Sequence, residues 1–282
     1  MGTLYNRKPA PDAWHCLIES WLGSLRARGQ RVATVETKRR HIAYLARSNP
    51  GLRPEDLTVE YALAWSATQD WMPETRHGYY GSFKSFLVWL NQTTGQSRLT
   101  EMPRVRRPRT KARPVPERVL QTVLTSHDPR ISLGSRLAAS AGLRRSEIIV
   151  VHLDDFREDL LGRSLLVHGK GGTDRLVPLA DGLDAAIRNY VAAHHITGYL
   201  FPGECDGHIG SNWLGNLINQ QLPRPWNLHG LRHRFATTIY QHTHDIIVVQ
   251  QLLGHESVAT TQRYLAYNVE QLRRAVNLAD AA

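Results

Sequence analysis

Cysteine is almost missing: the 282 residues contain two, Cys16 and Cys205. They stand far apart with no Cys-x-x-Cys spacing, which argues against a disulfide framework or a thiolate zinc site and fits a reducing cytoplasm. No run of about 18 apolar residues exists to cross a bilayer as a helix. Residues 1–12 carry Arg7, Lys8, Pro9 and Pro11 but no apolar signal core, so export is not expected. Acid is scarce relative to base. Twenty-five Asp and Glu face 35 Lys and Arg, for a net charge of +10 and a pI near 9.9. That balance favours a polyanionic partner, although ribosomal and membrane-surface proteins share it. Internal repeats and low-complexity tracts are absent. With 41% hydrophobic and 21% charged residues, the composition is that of a globular chain long enough for two cored domains.

The N-terminal third has the periodicity of four short helices. Trp14, Leu17, Ile18, Trp21, Leu22 and Leu25 make one apolar stripe. A second helix is expected from about Val35 to Arg47, with Ile42 and Leu45 inward and Lys38, Arg39 and Arg40 outward, ending at Asn49-Pro50-Gly51. A third follows Thr58 as N-cap. The fourth begins after Pro73-Glu74, carries Tyr80, Phe83, Leu87 and Leu90 inward, and stops at Thr94-Gly95. After an extension over 1–12, residues 13–100 thus form an all-helical domain. Its basic faces, with Lys38, Arg39, Arg40, Arg76 and Lys84, suit DNA, although a helical bundle without a ligand fits this third equally well.

Residues 101–114 form a basic linker. Arg104, Arg106, Arg107, Arg109, Lys111 and Arg113 crowd it without an acid between them, and Pro103, Pro108 and Pro114 keep it extended. The expected role is a strap along a phosphate backbone. Residues 115–282 form the second domain. Helices are expected at Val115–Leu124, Ile131–Ala141, Leu183–Ala193, Trp213–Gln220, Leu228–Tyr240 and Ile246–Leu253, with further ones from Ser257 and from Val269. Leu165-Leu166-Val167 and Arg175–Leu179 flank a glycine-rich hairpin, and Phe156 belongs to a preceding strand.

Several side chains in this half suit phosphoryl chemistry. A phosphodiester repels nucleophiles with its nonbridging oxygens, and fixed guanidiniums counter that charge. Arg144 follows Gly142 at a helix junction, and Arg232 sits one turn into a helix. Glu147, three residues after Arg144, is either a catalytic carboxylate or a partner that holds the arginine. His229 and His233 have the i, i+4 spacing of metal ligands, but Gly230 stands where a zinc-protease helix needs Glu, so no metal is expected. Gly169-Lys170-Gly171-Gly172 does not read as a nucleotide-binding loop, because Gly-Gly-Thr, and not Ser or Thr directly, follows the Gly-Lys pair, and a strand comes next.

Four contexts converge: Ala141-Gly142-Leu143-Arg144-Arg145-Ser146-Glu147, His229-Gly230-Leu231-Arg232-His233, Leu253-Gly254-His255-Glu256-Ser257 and Thr260-Thr261-Gln262-Arg263-Tyr264. In this order they resemble the tyrosine recombinase (phage integrase) family, closely over the C-terminal two-thirds and more loosely before it. The resemblance implies a mainly α fold with a small antiparallel sheet (α+β), an all-helical core-binding domain preceding the catalytic domain. It implies that Arg144 and Arg232 clamp the scissile phosphate and that His229 accepts the phenolic proton. Lys170 would protonate the departing oxygen, His255 would bond the phosphate, and Tyr264 would be the nucleophile. Glu147 and His233 would take supporting roles.

By the same resemblance no cofactor is needed, and the partner is double-stranded DNA at core-type attachment sites. A homotetramer on two duplexes would act in the bacterial cytoplasm, on the nucleoid, with room for an accessory directionality factor. No membrane is involved. The tail beyond Val269 would dock on a neighbouring protomer. Few residues precede the first helix, so an arm-binding domain is expected to be missing, and a compact phage or mobile-element integrase is preferred. A chromosome- or plasmid-dimer resolvase is the alternative. A type IB topoisomerase or a non-catalytic DNA-binding protein ranks lower.

Overall fold

The computed structural model describes residues 9–97, 99–107, 113–160, 162–169 and 172–254. The chain divides into two compact units, Met1–Arg109 and Thr110–Ala282.

In the first unit, α1 (Asp12–Ala27) buries Trp14, Ile18, Trp21, Leu22 and Leu25, one face of a 3.6-residue period, while Leu17 is only partly covered. Helix α2 (Val32–Ser48) starts a turn earlier than periodicity suggests, because its first turn is exposed and leaves no apolar trace: Val32 is 84% exposed. Thr58 caps α3 (Val59–Ala67), its hydroxyl accepting from the Tyr61 amide at 3.1 Å. Pro73 opens α4 (Pro73–Thr94), and Gly95, at φ 67°, closes it.

Large rings interlock between α1 and α4. Phe86 lies 6.0 Å from Trp14 in a stacked pair and meets Trp21 edge-on at 5.2 Å. The Trp14 indole donates to the Leu52 carbonyl at 3.0 Å. A second tier stacks Tyr79 on both Trp71, at 3.8 Å, and His41, at 3.9 Å. The start of the basic linker, without helix or strand, is held against this unit. Met102 and Val105 pack onto this core, Lys84 pairs with Glu101 at 2.6 Å, and Arg107 pairs with Glu74 at 3.3 Å.

The second unit combines helices with a three-stranded antiparallel sheet of order β1-β2-β3: β1 (Phe156–Asp159), β2 (Gly162–Val167) and β3 (Arg175–Pro178). Leu165 pairs with Val177, and Val167 with Arg175. Leu165, Val167 and Val177 point inward, whereas Leu176 is half exposed, the alternation of a one-sided sheet. The helices are α5 (Glu117–Leu124), α6 (Pro129–Ser140), α7 (Arg145–Ile148), α8 (Asp181–Ala193), α9 (Ser211–Gln221), α10 (Leu228–Thr243) and α11 (Ile246–Leu253). Helix α6 is central, lying against α5, α8, α9 and α10. Phe235 and Ala236 of α10 form a small separate core with Val249 and Leu253 of α11.

Short elements escape the sequence pattern. Helix α7 has a single turn, and β4 (Pro202–Cys205) is exposed throughout, so neither shows a period. The expected helices from Ser257 and Val269 lie outside the described residues. No described helix is long and apolar enough to cross a membrane.

Phe86 is fully buried between two indoles. Phe86→Ala should therefore cost about 3–5 kcal/mol by urea titration. A loss below about 1 kcal/mol would mean that the ring cluster does not hold the first unit together.

Candidate active site

Arg144 ends an extended segment at the N-cap of α7. Glu147, one turn on, folds back to accept from the Arg144 amide at 2.8 Å and from its guanidinium at 2.6 Å. The turn exists because Gly142 adopts φ +65°, and a Cβ there would fall 2.5 Å from the Phe235 ring. The Gly142 carbonyl in turn accepts from Arg232.

Arg232 rises from the second turn of α10, a helix capped by the Asn227 side chain on the Gly230 amide at 3.0 Å. It is 1% exposed, donates to the Leu253 carbonyl at 2.8 Å and lies 3.6 Å from Glu147. The sequence reading passed over a third arginine. Arg175 of β3 grips both Glu147 oxygens, at 3.1 and 2.8 Å, and the Leu252 carbonyl at 2.8 Å. One signal was available. Arg175 is in phase with inward-facing Val177, and a cation on a core-facing strand position needs a buried partner.

Three guanidiniums thus surround one carboxylate, leaving local charge near +2 before the partial negative end of α11 is counted, about −0.5. Side-chain exposure falls from 31% at Arg144 to 9% at Arg175 and 1% at Arg232. Arg144 is therefore the open donor, and the site presents an anion-binding face there. Burial pushes Glu147 upward, but hydrogen bonds and charge from Arg175, then Arg144 and Arg232, hold it at about 2.

The α10 imidazoles lie beside this cluster, His229 and His233 with ring centroids 4.6 Å apart. Burial first, then Arg232 and Arg144, lowers the His229 pKa. Burial, His229 and Arg232 bring His233 down to about 4. Both rings are neutral at pH 7, so His229 can accept a proton. No described group of three or more His, Cys, Asp or Glu is arranged to hold a metal.

Lys170, His255 and Tyr264 lie outside the described residues. The feet of the Lys170 hairpin are described, and His168 joins them: one ring nitrogen meets Asp155 at 2.9 Å and the other Asp174 at 3.1 Å. Asp155 first, with Asp174, raises the His168 pKa. A His and an Asp six apart across a turn gave no recognisable sequence signal.

The cations expected on the helical unit fare differently from one another. Burial lowers the pKa of Lys38, whose ammonium lies 6.0 Å from the Trp21 ring centre. Arg39 is held by Glu36 at 2.6 Å and Arg40 by Thr37 at 3.0 Å, so all three are half-buried, not outward as the helical period suggested. Arg76 spends its guanidinium on the Ser66 and Gln69 carbonyls at 2.7 and 3.1 Å, closing the α3–α4 turn. Arg104, Arg106 and Arg113 are exposed, and Arg109 and Lys111 lie outside the described residues.

The depressed pKa values set the response to acid. A neutral buried imidazole stabilises the fold above its unfolded pKa of 6.5, and that stability drains as pH falls toward about 4 for His233. Glu147 contributes fully above its unfolded value of 4.5, and its contribution is lost on the way down to about 2. Glu147→Gln should cost about 3 kcal/mol at pH 7 and flatten the lower part of the stability–pH curve. A wild-type curve below pH 4.5 retained by the variant would show that Glu147 is not the titrating group.

The phage integrase family model matches residues 115–271. The tyrosine recombinase XerC of Caldanaerobacter subterraneus subsp. tengcongensis is 34% identical over 153 residues, covering 50% of this chain and 42% of that protein. XerC of Myxococcus xanthus is 28% identical over 235 residues, covering 74% and 77%. This chain therefore spans under half of the first relative and about three-quarters of the second. Among solved structures, the XerH site-specific recombinase bound to palindromic difH substrate, a post-cleavage complex, shares the fold. Its TM-score is 0.68 at 16% identity, over 98% of this chain and 92% of that one. With the family pattern running through more than half its length and across the arginine cluster, the chain belongs to the phage integrase family of tyrosine recombinases.

Proposed function

We propose that this protein cuts and rejoins double-stranded DNA at specific sites through a covalent phosphotyrosine. The observation that carries the reading is the pairing of Arg144 and Arg232 on one buried carboxylate, next to a neutral His229. The guanidiniums bind the nonbridging oxygens of the scissile phosphate and stabilise the charge that grows in the pentacovalent transition state. His229 takes the proton from the Tyr264 hydroxyl as its oxygen attacks phosphorus. The bond to the 5′ oxygen breaks, Lys170 returns a proton to it, and a 3′-phosphotyrosine remains. His255 bonds the phosphate, while Glu147 and His233 hold the cluster in shape. A phenol, of pKa about 10, is a far better leaving group than an alkoxide, so a 5′ hydroxyl can reverse the step without ATP.

Recombination follows when the hydroxyl that attacks comes from a second duplex. Two exchanges, by a tetramer with two protomers active at a time, make and then resolve a four-way junction. Exposed Arg104, Arg106 and Arg113 add phosphate contacts, so affinity falls steeply with salt. The task we favour is insertion and excision of phage or other mobile-element DNA in the bacterial cytoplasm, with resolution of chromosome or plasmid dimers second.

DNA flanking the gene, incubated with the protein and denatured, should yield covalent adducts that define the cut site. Made as a nicked duplex, that site should trap wild type. Tyr264→Phe should form no adduct yet bind normally, and adducts surviving it exclude Tyr264. Arg144→Ala should slow adduct formation by about 100- to 1000-fold. Relaxation of any supercoiled plasmid, with no paired site required, would favour a topoisomerase instead.

A further inference from the structure

Three arginines from three elements each donate to one of three consecutive carbonyls at the end of α11. Arg175 bonds Leu252 at 2.8 Å, Arg232 bonds Leu253 at 2.8 Å, and Arg144 bonds Gly254 at 3.3 Å. All three also contact Glu147. The last carbonyls of a helix have no donor within it. Here guanidiniums supply the donors, so the end of α11 is fixed to the residues that would clamp phosphate.

Arg175 alone among the three has no part in the proposed chemistry. Its fork is spent on the two carboxylate oxygens and the Leu252 carbonyl. Gly254 makes room for it: a Cβ there would come within 2.9 Å of the Arg175 Cδ. Arg175 also sits at the foot of the Lys170 hairpin, paired across the ladder with Val167.

From these contacts we propose that Arg175 is a positioning residue for strand cleavage, one guanidinium that registers the hairpin foot, the Arg144–Glu147 turn and the end of α11. In sequence, His255 follows directly on the end of α11 and Tyr264 comes nine residues later, so the carbonyls Arg175 helps to fix are the last fixed backbone before the proposed nucleophile's segment. The proposal rests on the recombinase reading above. Lysine cannot replace this fork, because an ammonium is a point donor that cannot hold a carboxylate edge and a carbonyl in one plane. Electrostatics agree. Burial alone would raise Glu147, and the groups facing it are Arg144 of its own turn, Arg175 of β3 and Arg232 of α10, Arg175 being the strongest counterweight.

The test uses the full-length chain and the nicked duplex recovered by covalent capture. Arg175→Met should slow adduct formation about 100-fold, the scale of a misplacement near 1 Å, with DNA affinity unchanged within about threefold. Arg175→Lys should recover about tenfold of that loss. By carbon-13 NMR of labelled glutamate, the Glu147 carboxyl should titrate at higher pH in Arg175→Met than in wild type. If Arg175→Met does not fold, Arg175→Lys carries the test, with adduct formation about tenfold slower at wild-type affinity and melting temperature. Wild-type rates in both variants overturn the proposal and leave the recombinase reading intact. Binding, melting temperature and rate falling in parallel also overturn it, by reducing Arg175 to scaffolding. A wild-type chain that forms no adduct on any duplex is a separate result and removes both.

Discussion

Glu147 is the fixed point of the second unit. A carboxylate 3% exposed should be protonated or expelled, yet it stays ionised because three guanidiniums meet it. Such a network is not an efficient source of stability. Taking four charges out of water costs much of what their attraction returns, and apolar packing would stabilise a fold at least as well. What the network provides is geometry. Each arginine is held at two or more points, so none can rotate away, and the helix end they share is held with them.

Legibility followed how local the cause was. The stripe of α1, the Thr58 cap, the Gly95 stop and the hairpin strands rest on neighbours within a turn or two, and all were readable. Arg144, His229 and Arg232 stand out in the sequence because each sits in a short surrounding pattern, not because an arginine or histidine is informative alone. Arg175 and His168 were missed since their partners lie 28 and 13 residues away in sequence, and only folding brings them together. The course of the linker is less legible for a related reason. Its charge density suggested an extended strap, but Met102 and Val105, two apolar side chains among the cations, decide where its first part lies.

The basic excess of the chain is divided between two uses. Arg39, Arg76 and Arg175 are consumed inside their units by carboxylates and carbonyls. Arg104, Arg106 and Arg113 remain in solvent, near the junction of the two units in sequence. Net charge therefore overstates the phosphate-binding capacity, and position matters more than number. A surface cation adds salt-sensitive affinity, whereas one whose donors are spent on internal carboxylates and carbonyls holds the fold or another cation in place.

The same burial prepares the imidazoles. An exposed histidine would be partly protonated at neutral pH and useless as a base for that fraction of the time. Next to Arg232 and Arg144, and with water partly removed, His229 is kept neutral. The guanidiniums that would bind the phosphate thus also keep this imidazole unprotonated, and they can do both because their own charge is fixed. A lysine cluster could not, since burial lowers an ammonium's pKa as readily as it lowers an imidazole's. Arginine at these positions therefore follows from two separate demands, a charge that survives burial and a planar fork that reaches a carboxylate and a carbonyl together.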